Sequence, residues 1–440
     1  MKDVLHDLRS DHLAGRRAGM FSICSARREV LEAAMVMARD EDCGLLVEAT
    51  ANQVNQYGGY TGMTPAGFAA YLRHLAGETR FPPERLALGA DHLGPYVWRN
   101  EPAAQAMDHA CELTRQCVAA GFRKIHLDTG FGCIDDPSPI LPPEPAADRA
   151  ARLGRAAESA AERMPGQLSR PYYVIGAEVP PPGGGLDEDG DVDATPTEDV
   201  AEMIQATEAR FRTAGLETAW ERVMAVVVQP GVEFGDTRIA LYRPEKARAL
   251  SAFHAQLPGI MTYEIHSTDY QPPESLARMV HEHFILLKVG PCLTNAFREA
   301  VFVLARIEDE WKGVSSGVQL SNIREVLEAA MLENPVHWRT HYHGSEAELR
   351  FLRSNSRRDR IRYYWGQPAV EAALERLIAN LKPSIPPQLV EAHLPDVYAA
   401  LAADSCPLDP AAVIRRCIQL ALAPYFRACE SAERHQLQKR

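Results

Sequence analysis

What this chain of 440 residues lacks narrows its reading first. Basic residues are not in excess: 47 Lys and Arg stand against 59 Asp and Glu, a formal net charge of -12, so no electrostatic footprint for nucleic acid exists. There is no apolar run of about 18 residues, and segment 1–19, rich in Asp, His and Arg, has no signal-peptide core. A cytoplasmic protein with neither a membrane nor a nucleic-acid partner is therefore expected. The nine cysteines include no Cys-x-x-Cys pair and are odd in number, which argues for a reducing compartment and against a disulfide framework. Also missing is a Gly-x-x-x-x-Gly-Lys-Ser/Thr loop, or any other Gly-rich nucleotide cradle with a magnesium-binding Asp, and this argues against a kinase.

What is present is a repeating alternation. Eight short apolar runs occur at Met20–Cys24, Gly44–Glu48, Leu86–Ala90, Lys124–Asp128, Tyr173–Glu178, Val223–Val228, Ile260–Ile265 and Phe284–Val289. A helical pattern follows each: Glu29–Ala38, Pro65–Leu75, Pro102–Ala120, Glu144–Met164, Glu198–Ala214, Pro244–Gln256, Pro273–Glu282 and Ala296–Trp311. This is the arithmetic of an α/β protein, a (β/α)8 TIM barrel, with a doubly wound sheet as the alternative. The spread of polar residues over many strand ends favours the barrel, expected over residues 1–315. Beyond it the strand runs stop, and 316–440 reads as a helical C-terminal extension, with helices at Ser321–Leu332 and Ala369–Leu381 and a basic knot at Arg353–Arg362. The Pro/Gly/Asp-rich stretch Pro180–Asp193 suits an exposed loop or lid.

In a barrel the strand ends would place Glu48, Asn52, Gln53, Asp91, His92, His126, Asp128, Glu178, Gln229, Glu233, Glu264, His266, Asp269, Lys288, Thr294 and Asn295 on the upper rim. Carboxylates and imidazoles converging from so many strands form a metal or acid–base pattern. Side-chain alternation limits the set. His126 and Asp128 share a face, as do Glu264 and His266, but Asp91 and His92 share one only if their strand has ended. Glu264 reads equally well as half of a buried ion pair with Lys288. Phosphate is expected at the loops after the seventh and eighth strands, near Ser267, Asp269, Gly290, Thr294 and Asn295; a plain turn with Thr294 as N-cap is the competing reading. The arginines of the basic knot either make surface pairs or send one or two of their number, with Arg360 as the candidate, over the mouth to bind phosphate.

Several motifs together carry a resemblance: Glu48-Ala-Thr-Ala-Asn-Gln-Val-Asn-Gln-Tyr-Gly-Gly-Tyr-Thr-Gly-Met-Thr-Pro65, Asp91-His-Leu-Gly-Pro95, Lys124-Ile-His-Leu-Asp128, Val228-Gln-Pro-Gly-Val-Glu-Phe234, His266-Ser-Thr-Asp-Tyr270 and Asp359-Arg-Ile-Arg-Tyr-Tyr-Trp365. The chain resembles the tagatose-bisphosphate aldolase accessory (Z-type) subunit family along nearly its whole length. The resemblance implies one of two activities. The first is a metal-dependent 4-epimerase interconverting D-tagatose 6-phosphate and D-fructose 6-phosphate. The second is a non-catalytic subunit supporting a class II D-tagatose-1,6-bisphosphate aldolase in galactitol or tagatose catabolism. A wider similarity to class II aldolases, whose barrel type the resemblance implies for 1–315, suggests roles. Asp91 would carry a proton, with Asp128 and Glu178 as further catalytic groups. His92, Glu178 and His266 would hold Zn²⁺, Mn²⁺ or Mg²⁺, and Gln229 stands where those enzymes have another histidine. Glu48, Asn52, Gln53, Ser267, Asp269, Gly290, Thr294, Asn295 and Arg360 would bind a phosphorylated ketohexose. A homo-oligomer is expected. The C4 hydrogen of a 2-ketose is not acidic, so epimerisation there requires reversible cleavage of the C3–C4 bond, with Asp91 taking and returning the C4 hydroxyl proton.

Overall fold

The computed structural model of the chain describes residues 4–16, 18–164, 170–177, 191–314 and 317–429. Its strands are β1 (Met20–Ile23), β2 (Leu45–Thr50), β3 (Leu86–Leu93), β4 (Lys124–Leu127), β5 (Tyr172–Ile175), β6 (Val223–Val227), β7 (Glu233–Phe234), β8 (Ile239–Ala240), β9 (Thr262–Ile265) and β10 (Leu286–Val289). All but β7 and β8 form one closed parallel barrel, shut by β10 against β1 with Ile23 opposite Val289. β7 and β8 make a separate antiparallel hairpin. The protein is thus a (β/α)8 barrel, as the alternation of apolar runs and helices predicts.

The barrel helices are α2 (Arg28–Asp40), α3 (Pro65–Thr79), α4 (Ala103–Ala120), α5 (Pro143–Ala161), α6 (Thr197–Thr213), the short α7 (Glu217–Trp220), α8 (Pro244–Phe253), α9 (Pro273–His281) and α10 (Pro291–Lys312). They are preceded by α1 (Val4–Leu13) and followed by α11 (Ile323–Glu333), α12 (Glu346–Asn355), α13 (Pro368–Leu381), α14 (Pro387–His393), α15 (Pro395–Ala403) and α16 (Pro410–Cys429). Many begin with Pro in the first turn, where its missing N–H is not needed and its φ suits a helix.

Alternation along the strands sorts the core into two shells. Ile23, Val47, Ala90, Ile125, Tyr173, Val226, Tyr263 and Leu287 point outward into the helical layer. Leu46, Ala87, Tyr172, Val174, Ala225 and Leu286 point inward and fill the lower barrel. Below them Leu5 and Leu8 of α1 plug the bottom. That helix is unexpected from sequence: it is polar on most of its surface, and these two buried leucines anchor it. Each contributes about 2 kcal/mol by apolar burial.

The C-terminal extension is helical as expected, but it does not end far from the barrel. α16 packs against α9, α10, α2 and β1, with Phe426 lying edge-on to Phe21 at 4.8 Å between ring centroids. It completes the helical ring beside the first strand.

Candidate active site at the barrel mouth

Above the apolar lower barrel lies a layer of buried charge. Lys124 of β4 places its ammonium 2.8 Å from Glu48 of β2 and 2.5 Å from Glu264 of β9, and all three side chains are fully buried. Gly89, opposite Glu48 in register, makes room for it: a Cβ there would lie 2.6 Å from Glu48 Cγ. Lys288 of β10 sits 3.3 Å from Glu48 and 3.2 Å from Glu264 and contacts Asp91 most closely. Burial alone would lower the Lys288 ammonium, but Asp91, Glu264 and Glu48 outweigh it and hold it well above the usual lysine value.

Asp91 and His92 both turn toward the mouth, and a β-bulge explains how. Ala90 pairs with Ile125 and Leu93 with Leu127, so Asp91 and His92 together oppose His126 alone. His92 takes a left-handed conformation, φ 49°, and Gly94 lets β3 press on the end of β4; a Cβ on it would fall 1.6 Å from the Asp128 carbonyl oxygen. His92 Nδ1 lies 2.8 Å from Asp128 Oδ2. His126 Nδ1 lies 2.8 Å from Asp91 Oδ1 and its Nε2 2.8 Å from the Gly176 carbonyl. The rings of His92, His126 and His266 stand 5.0 to 5.3 Å apart.

The electrostatics give the acids and imidazoles different states. Burial would raise the Asp91 carboxyl, yet His92, Lys288 and the hydrogen bond with His126 hold it well below the usual range. Burial and the Lys288 charge hold His266 well below the ordinary imidazole value, so it is neutral at neutral pH. Asp128 Oδ1 is buried and, among the described residues, has no hydrogen-bond partner.

Asp91, His126, Glu264 and His266 present ligand atoms all within 4.8 Å of one another. Two imidazoles and two carboxylates suit a divalent cation such as Zn²⁺, Mn²⁺ or Mg²⁺. The set fits in donor chemistry, with Lys288 as the charge already resting on its carboxylates. It overlaps the expected ligands at His266 alone. His92 adjoins the group through its ring but pairs with Asp128. Gln229 does not join: its Oε1 accepts the N–H groups of Gly231 and Val232, 2.9 and 2.8 Å away, and so closes its own turn. Glu178 and most of the Pro180–Asp193 loop lie outside the described residues.

The mouth opens into a cavity of about 960 Å³ lined by Asp91, His92, Asp128, His266 and Lys288. Asn52, Gln53, Ser267, Asp269, Gly290, Thr294 and Arg360 also reach it. Glu48 does not, being an internal counter-charge below it. Asn295 is directed to Glu299 and Arg298. The expected phosphate cradle is already filled by protein: Asp269 Oδ1 accepts the N–H groups of Gly290 and Cys292, 3.1 and 2.7 Å away, at the start of α10. Thr294 is not the N-cap; it lies inside α10 and donates to Asp359 at 2.5 Å.

Sequence reasoning missed Lys124 as an inward-facing group, although it shares the parity of His126 and Asp128. It placed His126 on the rim but not among its expected metal ligands. Tyr60, which it did not single out, lines the mouth together with Arg362, named there only as one of the basic knot's arginines, and Tyr363, also not singled out. The last two arrive on the segment after α12, clamped to the turn of the β7–β8 hairpin: Arg357 N–H donates to the Asp236 carbonyl at 2.9 Å and Ser356 Oγ to the Asp236 carboxylate at 2.5 Å.

Comparison with known proteins gives this geometry a family. The chain is 44% identical over 432 residues to the D-tagatose-1,6-bisphosphate aldolase subunit GatZ of Klebsiella pneumoniae, covering 98% of this chain and 99% of that one. A crystal structure described as a probable tagatose 6 phosphate kinase from Sinorhizobium meliloti is similar with a TM-score of 0.85 and 40% identity, over 93% of this chain and all of that one. The family profile described as D-tagatose-1,6-bisphosphate aldolase subunit GatZ/KbaZ-like matches residues 5–430, and the chain belongs to that family.

Proposed function

We propose that the chain acts in sugar-phosphate metabolism as the Z-type subunit of a D-tagatose-1,6-bisphosphate aldolase, supporting a separate catalytic subunit, and that its barrel mouth binds a sugar phosphate. The observation that carries this reading is the 44% identity to such a subunit across essentially both chains. A second reading, turnover by this barrel as a 4-epimerase of a ketohexose 6-phosphate, is favoured by a specific feature: a buried, ionised Asp91 beside an unpartnered Asp128 oxygen at an open mouth.

In that second reading Asp91, kept as a carboxylate by Lys288 and the neighbouring imidazoles, takes the C4 hydroxyl proton as the C3–C4 bond breaks and returns it when the bond re-forms on the other face. Asp128 holds His92 in one orientation through Nδ1. The Lys288 ammonium stabilises oxygen charge that develops beside Asp91. A divalent cation held by Asp91, His126, Glu264 and His266 would add Lewis-acid polarisation of the ketose oxygens.

One experiment separates the two. Purified chain is assayed with D-tagatose 6-phosphate, alone and with added divalent metal. In parallel it is mixed with a class II tagatose-bisphosphate aldolase catalytic subunit, whose release of dihydroxyacetone phosphate is followed. The subunit reading expects enhanced or preserved aldolase activity and a complex that survives gel filtration; no effect and no complex would overturn it. The epimerase reading expects D-fructose 6-phosphate from the chain alone, abolished in a folded Asp91→Asn protein.

A further inference from the structure

The place where a barrel of this kind ordinarily receives phosphate is closed here, since the Asp269 carboxylate occupies the N–H groups opening α10. A phosphate entering there would meet a buried carboxylate. Two guanidinium groups with the opposite property line the same cavity. Arg360 and Arg362 are half-buried and line the mouth. Among the described residues neither has a carboxylate within ion-pair distance. The other arginines of the basic knot are engaged elsewhere: Arg353 pairs with Glu328 and Glu346, Arg357 donates to the Thr237 carbonyl, and Arg358 lies by Asp236.

The two guanidinium groups are also held in position. Arg360 donates through Nε to the His337 carbonyl and lies over the Tyr363 ring, 5.3 Å from its centroid, which leaves its terminal nitrogens without a hydrogen-bond partner among the described residues. Arg362 donates through Nη1 to the Asp359 carbonyl at 3.0 Å and through Nη2 to the Tyr363 hydroxyl at 3.0 Å. Tyr60 stands edge-on to Tyr363, 4.7 Å between centroids, and brings a second phenol to the cluster. The local potential is strongly positive. Burial, then Arg360, Arg358 and Arg362, push the nearby His341 down to about 4. Burial would raise the Tyr363 phenol, but Arg362 and Arg360 bring it below the ordinary tyrosine value. Half-buried cations held around a cavity, with no carboxylate within ion-pair distance among the described residues, are suited to an anion with several acceptor oxygens.

We propose that Arg360 and Arg362, with the hydroxyls of Tyr60 and Tyr363, form a single phosphate-monoester subsite at the barrel mouth, in place of the strand-end cradle that Asp269 fills. The inference rests on reading the mouth as a sugar-phosphate site. It adds a specificity: one phosphate is taken, and a second finds no cradle at α10. A 6-phosphoketose therefore binds at least as tightly as its 1,6-bisphosphate.

The test uses the purified full chain. Calorimetric titration with D-fructose 6-phosphate is compared with D-fructose and D-fructose 1,6-bisphosphate, for wild type and for Arg360→Gln/Arg362→Gln. Loss of two charge-assisted contacts is expected to weaken the monophosphate about 10- to 100-fold, while D-fructose does not bind measurably and the bisphosphate binds no tighter than the monophosphate. Because these arginines also bond to backbone carbonyls, a second measurement needs no variant: phenylglyoxal modification of wild-type protein with and without inorganic phosphate, read by peptide mass spectrometry. Phosphate should protect Arg360 and Arg362 but not the exposed Arg306 of α10. If a sugar phosphate binds but neither arginine is protected, or the bisphosphate binds more than about tenfold tighter, the subsite is overturned and the broader reading stands. If no sugar phosphate binds yet inorganic phosphate protects both arginines, the anion subsite stands and the sugar-phosphate reading falls. Neither binding nor protection would overturn both.

Discussion

At the scale of single residues, the barrel interior rests on a balance of buried charges. Burial would lower the Lys124 ammonium, but Glu264 and Glu48 outweigh it and raise it; burial would raise Glu264, but Lys124 and Lys288 hold it well below the usual range. Each charge is tolerated because the others are there. Removing one leaves its partners buried and uncompensated, which costs about 3–5 kcal/mol, whereas removing a matched pair costs far less. Lys124→Met should therefore lower the urea midpoint by an amount corresponding to about 3–5 kcal/mol, and the additional change Glu264→Leu should recover part of the loss. A single-variant loss below about 1 kcal/mol, with nothing recovered in the pair, would contradict this account of the core. The glutamate half was legible in the sequence, since Glu264 ends an apolar run with Lys288 as its natural counter-charge. Lys124 was legible in principle: it stands two residues before His126 and four before Asp128, so one face carries all three. What no sequence pattern supplied was its partners, which come from β2 and β9 through barrel closure.

At the scale of elements, the layout of the barrel mouth depends on small departures from regular structure. The bulge at Asp91–His92 is why two adjacent residues reach one site, and strict alternation would have separated them. The start of α10 at Pro291, five residues before the expected Ala296, follows from the Asp269 carboxylate capping it from the previous loop, a tertiary contact that local propensity does not contain. The C-terminal helices were legible as helices from their apolar spacing. Their destination was not, because a helical period shows that one face will be buried without showing against what. α16 buries Ile418, Leu422, Tyr425 and Phe426 beside the first strand, and Tyr425 donates to the Thr268 carbonyl at 2.7 Å in the loop that carries His266. This helix is therefore part of the barrel's support. Phe426→Ala, which opens a cavity against Phe21, should destabilise the whole barrel by about 3–5 kcal/mol. The loss should appear as one cooperative transition in far-UV circular dichroism and in tyrosine fluorescence alike. Two separate transitions, with only the helical one shifted, would mean that α16 is an appendage.

For the molecule as a whole, the histidines away from the mouth's acid cluster set its response to acid. At the lower end of the barrel His254 stacks on His283, centroids 4.0 Å apart, and meets His12 of α1 edge-on at 5.1 Å. Burial, then the charges of His283 and His12, push His254 down to about 4; burial lowers His12. Near the mouth His341 is pushed down to about 4 by burial and then by the arginines around it. In the unfolded chain an imidazole titrates near 6.5. Between about pH 4 and 6.5 the unfolded state thus binds more protons than the folded one, and stability must rise with pH across that window and level off above it. Thermal unfolding should show a transition temperature nearly constant above about pH 7 and falling steadily toward about pH 4.5. Below that the buried carboxylates Asp91 and Glu264, held well below their ordinary values, extend the loss. His254→Asn should flatten the slope between about pH 4.5 and 6.5 while leaving the more acidic limb in place. α1 meets this cluster through His12, so protonation there should loosen the plug first. Hydrogen exchange at pH 5 would then rise in the Val4–Leu13 amides before those of β3 and β9. An unchanged slope in the variant, or exchange that rises first in the strands, would place the acid sensitivity in the carboxylate layer instead.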